Sequence, residues 1–173
     1  DRGDGTLWPL RARIADRAGR LVNALAVGVS SPFEKGPPDE RFVLYPLHHQ
    51  PEASIDVYAS LNSNQLAMIE TVSRLLPVSH RLWVKEHKGA LSDRSLAWYR
   101  KLKALPNVRL IDPYEDVFAL IERADLVVSI AGTAAYEAAL LGVPSVGLSQ
   151  VFFSSLLLNR PGPRAHPLDW NMR

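Results

Sequence analysis

Short apolar runs alternate with helix-like segments from residue 41 to residue 158, and this alternation limits the possible folds more than any other feature. The predicted strands are RFVLY (41–45), RLWV (81–84), VRLI (108–111), LVVSI (126–130) and SVGLS (145–149). Because helical segments separate them, right-handed βαβ crossovers should join the strands into a parallel sheet. Strands that are apolar throughout indicate a sheet with both faces covered. We therefore predict an α/β domain with a doubly wound parallel sheet of about five strands, similar to a Rossmann fold.

The helix boundaries are predicted from short polar side chains, which cap the free amides of a first turn. The predicted caps are Ser63, Ser92, Asp112 and Thr133. The helix over 132–141 should end at Gly142, since glycine is common just beyond a helix end. The run VFFSSLLL (151–158) is predicted to begin a last helix and to pack in the core.

A helix and a linker precede this α/β pattern. Residues 9–25 place Leu10, Ile14 and Leu21 at helical spacing with arginines between them, which is typical of an amphipathic helix. The Pro/Gly-rich segment SSPFEKGPPDE (30–40) is predicted to be a linker. We thus divide the chain into a helical lead-in and linker, 1–40, and a Rossmann-like lobe, 41–173.

Composition excludes several classes of protein. The 20 basic and 18 acidic residues leave a formal net charge of only +2, and no basic block with interleaved aromatics occurs, so nucleic acid is not expected as a partner. The absence of cysteine excludes disulfides and thiolate nucleophiles. Residues 138–158 are uncharged over the length of a membrane span, but Pro144, glycines and serines interrupt them. The start DRGDGTLWPL does not resemble a signal peptide, and we interpret the chain as part of a longer protein.

Polar residues cluster after three of the predicted strands. Open parallel sheets bind ligands beyond the carboxyl ends of their strands, where the strand order reverses. With a predicted order of 3-2-1-4-5, strands one and four are neighbours at that point. The loops that should meet there are PLHHQPE (46–52), KEHK (85–88) and AGT (131–133). The sequence contains no G-x-G-x-x-G after a strand, no P-loop and no G-x-S-x-G, which disfavours a usual NAD site, a P-loop or an α/β-hydrolase.

The AGT loop opens a helix, whose free amides and dipole favour an anion such as phosphate. Gly132 would let the phosphate approach the backbone closely, and Thr133 can cap the helix or donate to a phosphate oxygen. Glu137 lies one turn further on the same face and can accept hydrogen bonds from ribose hydroxyls. The alternatives are that Thr133 acts only as a cap and that Glu137 points to solvent.

The other two loops supply cations and amides. Lys85 and His87 would add positive charge near a phosphate, whereas His48 and Gln50 would hold a sugar or a base. Alternatively, the first two belong to a solvated strand end and the histidines of the first loop are structural. A two-histidine metal site lacks a third ligand at a helpful spacing, so no metal is predicted.

Four ordered blocks, FVLYPLHHQPE, WVKEH, PNVRLIDP and ADLVVSIAGTAAYEAALLGVPSV, resemble the capsule polysaccharide biosynthesis glycosyltransferases over about residues 41–153. That family is similar to other two-lobed (GT-B) transferases, including Kdo transferases, and to the UDP-N-acetylglucosamine 2-epimerase type. The resemblance implies a C-terminal donor-binding lobe in which Gly132 and Thr133 meet phosphate and Glu137 meets the ribose. His87 matches the histidine of a Lys-Glu-His-Pro block, but Lys88 replaces its proline.

The resemblance also implies a function: transfer from a CMP- or UDP-linked sugar donor to a glycan acceptor, in surface or capsular polysaccharide synthesis, without another cofactor. The acceptor site and the catalytic carboxylate would lie on a missing N-terminal lobe, so no catalytic residue is assigned in this chain. The expected location is the cytoplasm, with peripheral association with the inner membrane as an alternative. For residues 151–158, the alternative to core packing is contact with the missing lobe or with a membrane surface. A sugar-nucleotide epimerase lobe and a non-catalytic ligand-binding module remain open.

Overall fold

The computed structural model of the chain describes residues 10–36, 39–50, 56 and 59–158. Five strands form one parallel sheet in the order β3-β2-β1-β4-β5; they are β1 (Phe42–Pro46), β2 (Arg81–Lys85), β3 (Val108–Ile111), β4 (Leu126–Ser129) and β5 (Ser145–Gly147). The described α-helices are α1 (Leu10–Val29), α2 (Gln65–Leu75), α3 (Leu96–Lys103), α4 (Val117–Arg123) and α5 (Thr133–Leu140). The predicted fold class and strand order are confirmed. Parts of the first predicted loop (51–52), the linker (37–38) and the lobe (159–173) lie outside the described residues.

Both faces of the sheet are covered, as the apolar strands predicted. One core contains alternate strand residues with α2 and α3; its members include Val43, Tyr45, Leu82, Val84, Ile69, Tyr99 and Leu102. The opposite core contains the intervening strand residues with α4 and α5; its members include Phe42, Leu44, Trp83, Leu120, Ile121, Ala134 and Ala138. Since successive side chains of a strand point to opposite faces, β1 to β4 each contribute to both cores.

The strand order reverses between β1 and β4. The chain builds β1, β2 and β3 outward in one direction, then returns through α4 so that β4 pairs with β1, with Val43 opposite Leu126 and Leu44 opposite Val127. The loops that leave these two strands therefore diverge to opposite faces of the sheet and leave a crevice between them.

Three of the predicted helix caps are wrong by one to four residues. Asn64, Ser95 and Asp116 accept the capping hydrogen bonds, in place of Ser63, Ser92 and Asp112. In each case the observed cap is a short polar residue that lies closer to the apolar residues of the helix, and the predicted cap lies in the preceding loop. Asp112, for example, accepts from the Tyr114 amide at 2.9 Å in a turn.

Two further predictions about helices are corrected. Gly132, not Thr133, is the N-cap of α5, and no side chain caps this helix. The segment predicted to begin a last helix has only a 3₁₀ turn over Ser154–Leu156, because the Ser154 hydroxyl accepts from the Val151 amide at 2.9 Å and closes a tight turn. Within the described parts of the chain, no helix is long and apolar enough to cross a membrane.

The lead-in packs on the lobe through only part of α1. Val27 is buried, and Arg20 of α1 reaches Asp93 with 2.6 Å between Nη1 and Oδ1. The predicted apolar stripe stays largely exposed; its exposed members are Ile14, Leu21, Val22 and Leu25. The division of the chain at residue 40 stays a prediction, and Glu34 of the linker forms a parallel bridge with Ile111 at the outer edge of β3.

Candidate functional site

A cleft of about 650 Å³ lies at the carboxyl ends of β1, β2 and β4, and its volume is that of a small-molecule site. Six of the seven predicted site residues line it, and they are His48, Lys85, His87, Gly132, Thr133 and Glu137. Gln50 does not line this cleft. Its amide nitrogen donates to Asp56 Oδ1 at 2.8 Å and to the Ser63 carbonyl at 3.2 Å, so it holds the loop after β1 in shape.

The turn into α5 is fixed by two buried side chains, His48 and Ser129. The Gly132 amide donates to Ser129 Oγ at 3.0 Å, and the Ala131 amide donates to His48 Nε2 at 3.4 Å. Because Nε2 accepts this bond, the neutral imidazole carries its proton on Nδ1. Ser129 Oγ also lies 3.3 Å from His48 Nε2. These contacts join the end of β4 directly to the loop after β1.

The next two amides, those of Thr133 and Ala134, are the ones that an anion would meet. They belong to the first turn of α5, where helix geometry offers no intrahelical acceptor, and both residues line the cleft. Their partial positive charges form the positive end of the helix dipole. The predicted anion position therefore moves one residue along the chain from Gly132.

Gly132 is required for a reason that the sequence did not show. Its φ of −82° suits any residue, but an added Cβ would lie 2.8 Å from Ser129 Oγ and 2.9 Å from His48 Cε1. Both neighbours are buried and hydrogen-bonded, so neither can move away cheaply. Glycine at this position allows His48 and Ser129 to pack against the start of α5.

Glu137 lies on the cleft side of α5, on the same face as Thr133, as their spacing predicted. Its side chain is half-buried, and no cation among the described residues forms an ion pair with it. A carboxylate in this position keeps its acceptor oxygens for a ligand.

The end of β2 is buried rather than solvated. Lys85 is buried, and its Nζ donates to the Pro113 carbonyl at 2.7 Å. Burial lowers the pKa of Lys85 below its usual value, and the positive charge of Lys88 lowers this pKa further. His87 is exposed, and its Nδ1 accepts from the Gly89 amide at 3.2 Å. The alternative of a solvated strand end therefore holds for His87 but not for Lys85 or Glu86, which is buried as well.

A buried ion pair beneath the cleft was not predicted. Arg94 Nη1 lies 2.7 Å from both carboxylate oxygens of Glu86, and the Tyr99 hydroxyl donates to Oε2 at 2.7 Å. Arg94 Nη2 donates to the His48 carbonyl at 2.6 Å, so one side chain joins the loops after β1 and β2. Burial raises the pKa of Glu86, and the Arg94 charge opposes that rise. Glu86 could have been singled out in the sequence, because it is an acid that directly follows an apolar strand. No neighbouring residue in the sequence points to a role for Arg94.

The loop after β3 forms a third wall that was also missed. Residues 115–118 line the cleft, and Phe118 in the first turn of α4 keeps half of its surface exposed, at 50%. The Glu115 carboxylate accepts from the Gly36 amide at 2.7 Å, which ties this loop to the linker. The sequence offered one indication of this role for Phe118: it is an apolar residue that does not lie on the buried face of α4.

The histidines of the cleft do not form a metal centre in the described part of the chain. No group of three or more His, Cys, Asp or Glu residues there is arranged to hold a metal ion. His49 instead has its Nε2 at 3.1 Å from Asp93 Oδ2, and its ring centroid lies 6.0 Å from that of His87.

The fold and the cleft define a Rossmann-like α/β lobe with a ligand crevice at its topological switch point. No family model matches the chain, and neither does any curated protein. Among solved structures, the chain is similar to KpsC, a beta Kdo 2,7 transferase from Thermosulfurimonas dismutans, with a TM-score of 0.56 and 17% identity over 88% of this chain and 48% of KpsC. At this identity the similarity shows a shared fold. The chain spans about half the length of KpsC.

Two other solved structures are similar over smaller shares of their own length. A putative UDP-N-acetylglucosamine 2-epimerase from Listeria monocytogenes has a TM-score of 0.47 and 19% identity over 74% of this chain and 35% of that protein. The wall teichoic acid polymerase TagF has a TM-score of 0.37 and 15% identity over 91% of this chain and 33% of TagF.

Proposed function

We propose that this chain is the nucleotide-sugar-binding lobe of a glycosyltransferase for surface or capsular polysaccharide synthesis. The observation that carries the proposal is the convergence of free first-turn amides, an unpaired carboxylate and an exposed aromatic ring on one cleft. A nucleotide needs these three features, for its phosphates, its ribose and its base. The resemblance of the sequence blocks and the fold shared with KpsC support the same assignment.

The phosphates are placed at the start of α5. The amides of Thr133 and Ala134 would donate to phosphate oxygens, and the Thr133 hydroxyl, which is not used as a cap, is available as a further donor. Lys88 and His87 are exposed on the opposite wall, where Lys88 supplies positive charge and the His87 ring can donate a hydrogen bond to a diphosphate. Lys85 supports that wall through its bond to Pro113.

The position of the phosphates at the start of α5 also determines where the ribose and the base would lie. Glu137 lies one turn beyond the phosphate amides, within reach of the vicinal hydroxyls of a ribose. Phe118 is on the α4 side of the same cleft, where its exposed ring offers a face for stacking a base. Transfer itself requires an acceptor and a catalytic group, and we place both on a second lobe.

Glu137→Ala should weaken the binding of CMP or UDP by at least about tenfold, because hydrogen bonds to a charged group contribute about 1.5–3 kcal/mol. Isothermal titration calorimetry should also show that the unchanged chain prefers a ribonucleotide to its 2′,3′-dideoxy analogue and that the variant does not. The melting temperature should stay nearly constant, since Glu137 has no ion pair to lose.

Glu122→Ala is the matched control, because Glu122 is an exposed acid on α4 that does not line the cleft. Equal affinities for Glu137→Ala and the unchanged chain would remove Glu137 from the ribose position. A screen in which neither CMP nor UDP stabilises the chain would count against the donor lobe itself, since a ligand that binds only the folded state raises stability.

Phe118→Ala should weaken nucleotide binding by about tenfold while leaving inorganic pyrophosphate binding unchanged, because stacking on an aromatic side chain contributes about 1–3 kcal/mol per base. Phe152→Ala is the control, since Phe152 is a more exposed ring that lies outside the cleft. Parallel losses for the nucleotide and pyrophosphate would show that the variant disturbs the whole cleft rather than a base platform.

A further inference from the structure

A second cavity, which we call the side pocket, lies beside the cleft and encloses about 430 Å³. It is bounded by the last turns of α1, the linker, and the loops after β2 and β3. Its floor is apolar and includes Val27, Phe33, Leu91 and Pro113. The volume is sufficient for a single sugar ring, and among the residues that line the pocket only Lys88 also belongs to the proposed nucleotide position.

The partition between the two cavities is thin. Lys85 lines the cleft and Pro113 lines the side pocket, and the bond from Lys85 Nζ to the Pro113 carbonyl, at 2.7 Å, joins the two. Lys88 lines both cavities. It is exposed, and no carboxylate among the described residues pairs with it. Lys88 therefore stands at the junction as an exposed cation that an anionic group can approach.

The rim of the side pocket carries the chemistry of carbohydrate recognition. Tyr114 keeps 70% of its surface exposed and offers a flat ring on which the C–H face of a sugar can lie. Asp112 uses one carboxylate oxygen for the Tyr114 amide, at 2.9 Å, and can accept a sugar hydroxyl with the other. The Ser92 hydroxyl and the Gly89 backbone complete a polar rim above the apolar floor.

We propose that the side pocket binds the acidic sugar unit of a carbohydrate, with its ring on Tyr114 and its anionic group at Lys88. The inference deepens the proposed function, because it places a sugar next to the nucleotide cleft. The sugar has two sources, the end of an acceptor glycan and the sugar of the bound donor. Both have the same chemistry at this pocket.

The test uses the whole chain, isotope-labelled for NMR, and two probes that contain no nucleotide, methyl β-D-glucuronide and methyl β-D-glucoside. The glucuronide should shift the amides of Gly89, Ser92 and Tyr114 and should bind more tightly than the glucoside. Tyr114→Ala should weaken glucuronide binding by about five- to tenfold, as expected for the loss of an aromatic contact. Lys88→Gln should remove the preference for the glucuronide.

Phe118→Ala is the control, since it alters the cleft but not the side pocket, and its glucuronide affinity should be unchanged. Shifts confined to cleft residues, or equal glucuronide affinity in Tyr114→Ala, would overturn the proposal. Because neither probe contains a nucleotide, failure of the nucleotide-binding experiments would leave this outcome unaffected. UDP-glucuronic acid then separates the sources: competition with methyl glucuronide indicates the donor sugar, and simultaneous binding indicates an acceptor.

Discussion

Replacing Arg94 with methionine should lower the free energy of unfolding by about 3–5 kcal/mol near neutral pH, because removal of one partner leaves a buried charge without compensation. The Glu86 side chain is wholly buried and that of Arg94 is only 10% exposed, so solvent cannot replace the lost contacts. The bond to the His48 carbonyl is lost as well, which should loosen the loop after β1. Urea unfolding followed by circular dichroism measures this change.

The deficit of Arg94→Met should shrink as the pH falls. Burial raises the pKa of Glu86 and Arg94 lowers it, so removal of Arg94 leaves a pKa that is raised further. A carboxyl with a raised folded-state pKa favours folding when protonated, and that contribution is lost as the pH rises through the folded pKa. The variant should therefore be closer to the unchanged chain at about pH 5 than at about pH 7.

Arg100→Met, an exposed change on α3, is the matched control and should alter stability by less than about 0.5 kcal/mol. Adding Glu86→Gln to Arg94→Met should recover part of the loss, because the unpaired charge is then absent. A loss from Arg94→Met as small as that of the control would contradict the role of this ion pair.

Gly132→Ala should destabilise the chain by about 1–3 kcal/mol, the usual cost of adding a methyl group to a packed interior. The new Cβ would lie within 3 Å of both Ser129 Oγ and His48 Cε1, and their bonds to the Ala131 and Gly132 amides would be displaced. If the phosphates sit at this helix start, nucleotide affinity should fall at least about tenfold. Thermal unfolding and calorimetry with CMP and UDP measure the two effects.

Gly19→Ala is the same change at a position inside α1 where an added Cβ meets no atom within 4 Å. It should stabilise the helix by about 0.5–1 kcal/mol, since alanine is the better helix former. Ser129→Ala combined with Gly132→Ala should recover part of the lost stability, because one of the two collisions disappears. If Gly132→Ala changed the stability no more unfavourably than Gly19→Ala, the turn before α5 would accommodate the added methyl group without a loss of stability.

The fold was predictable because its signals are local. The apolar runs of β1 to β5 stand out from their neighbours, and the rules for parallel crossovers then leave few topologies. Helix caps were less predictable, because Ser63 and Asn64, or Ser92 and Ser95, are chemically equivalent candidates. Only the contacts of the finished fold decide between them.

The part of the candidate site that depends on the order of the strands was predictable from the sequence. The residues after β1, β2 and β4 meet because those strands are neighbours, and six of the seven predicted residues do line one cleft. The parts that were missed depend on contacts between distant positions. Arg94 meets His48 across 46 positions, and no local pattern encodes such a pair. Phe118 reaches the cleft because α4 starts at Val117, later than its sequence suggested.

The bridge between Glu34 and Ile111 has a consequence for solubility. A sheet edge with free amides and carbonyls invites other chains to pair with it, which leads to aggregation. The linker occupies part of the outer edge of β3, through bonds of 2.8 Å to the Leu110 carbonyl and from the Asp112 amide. At the opposite edge, β5 is only three residues long. A chain shortened to begin at residue 41 would uncover the longer edge and should self-associate more readily than the chain that keeps its lead-in.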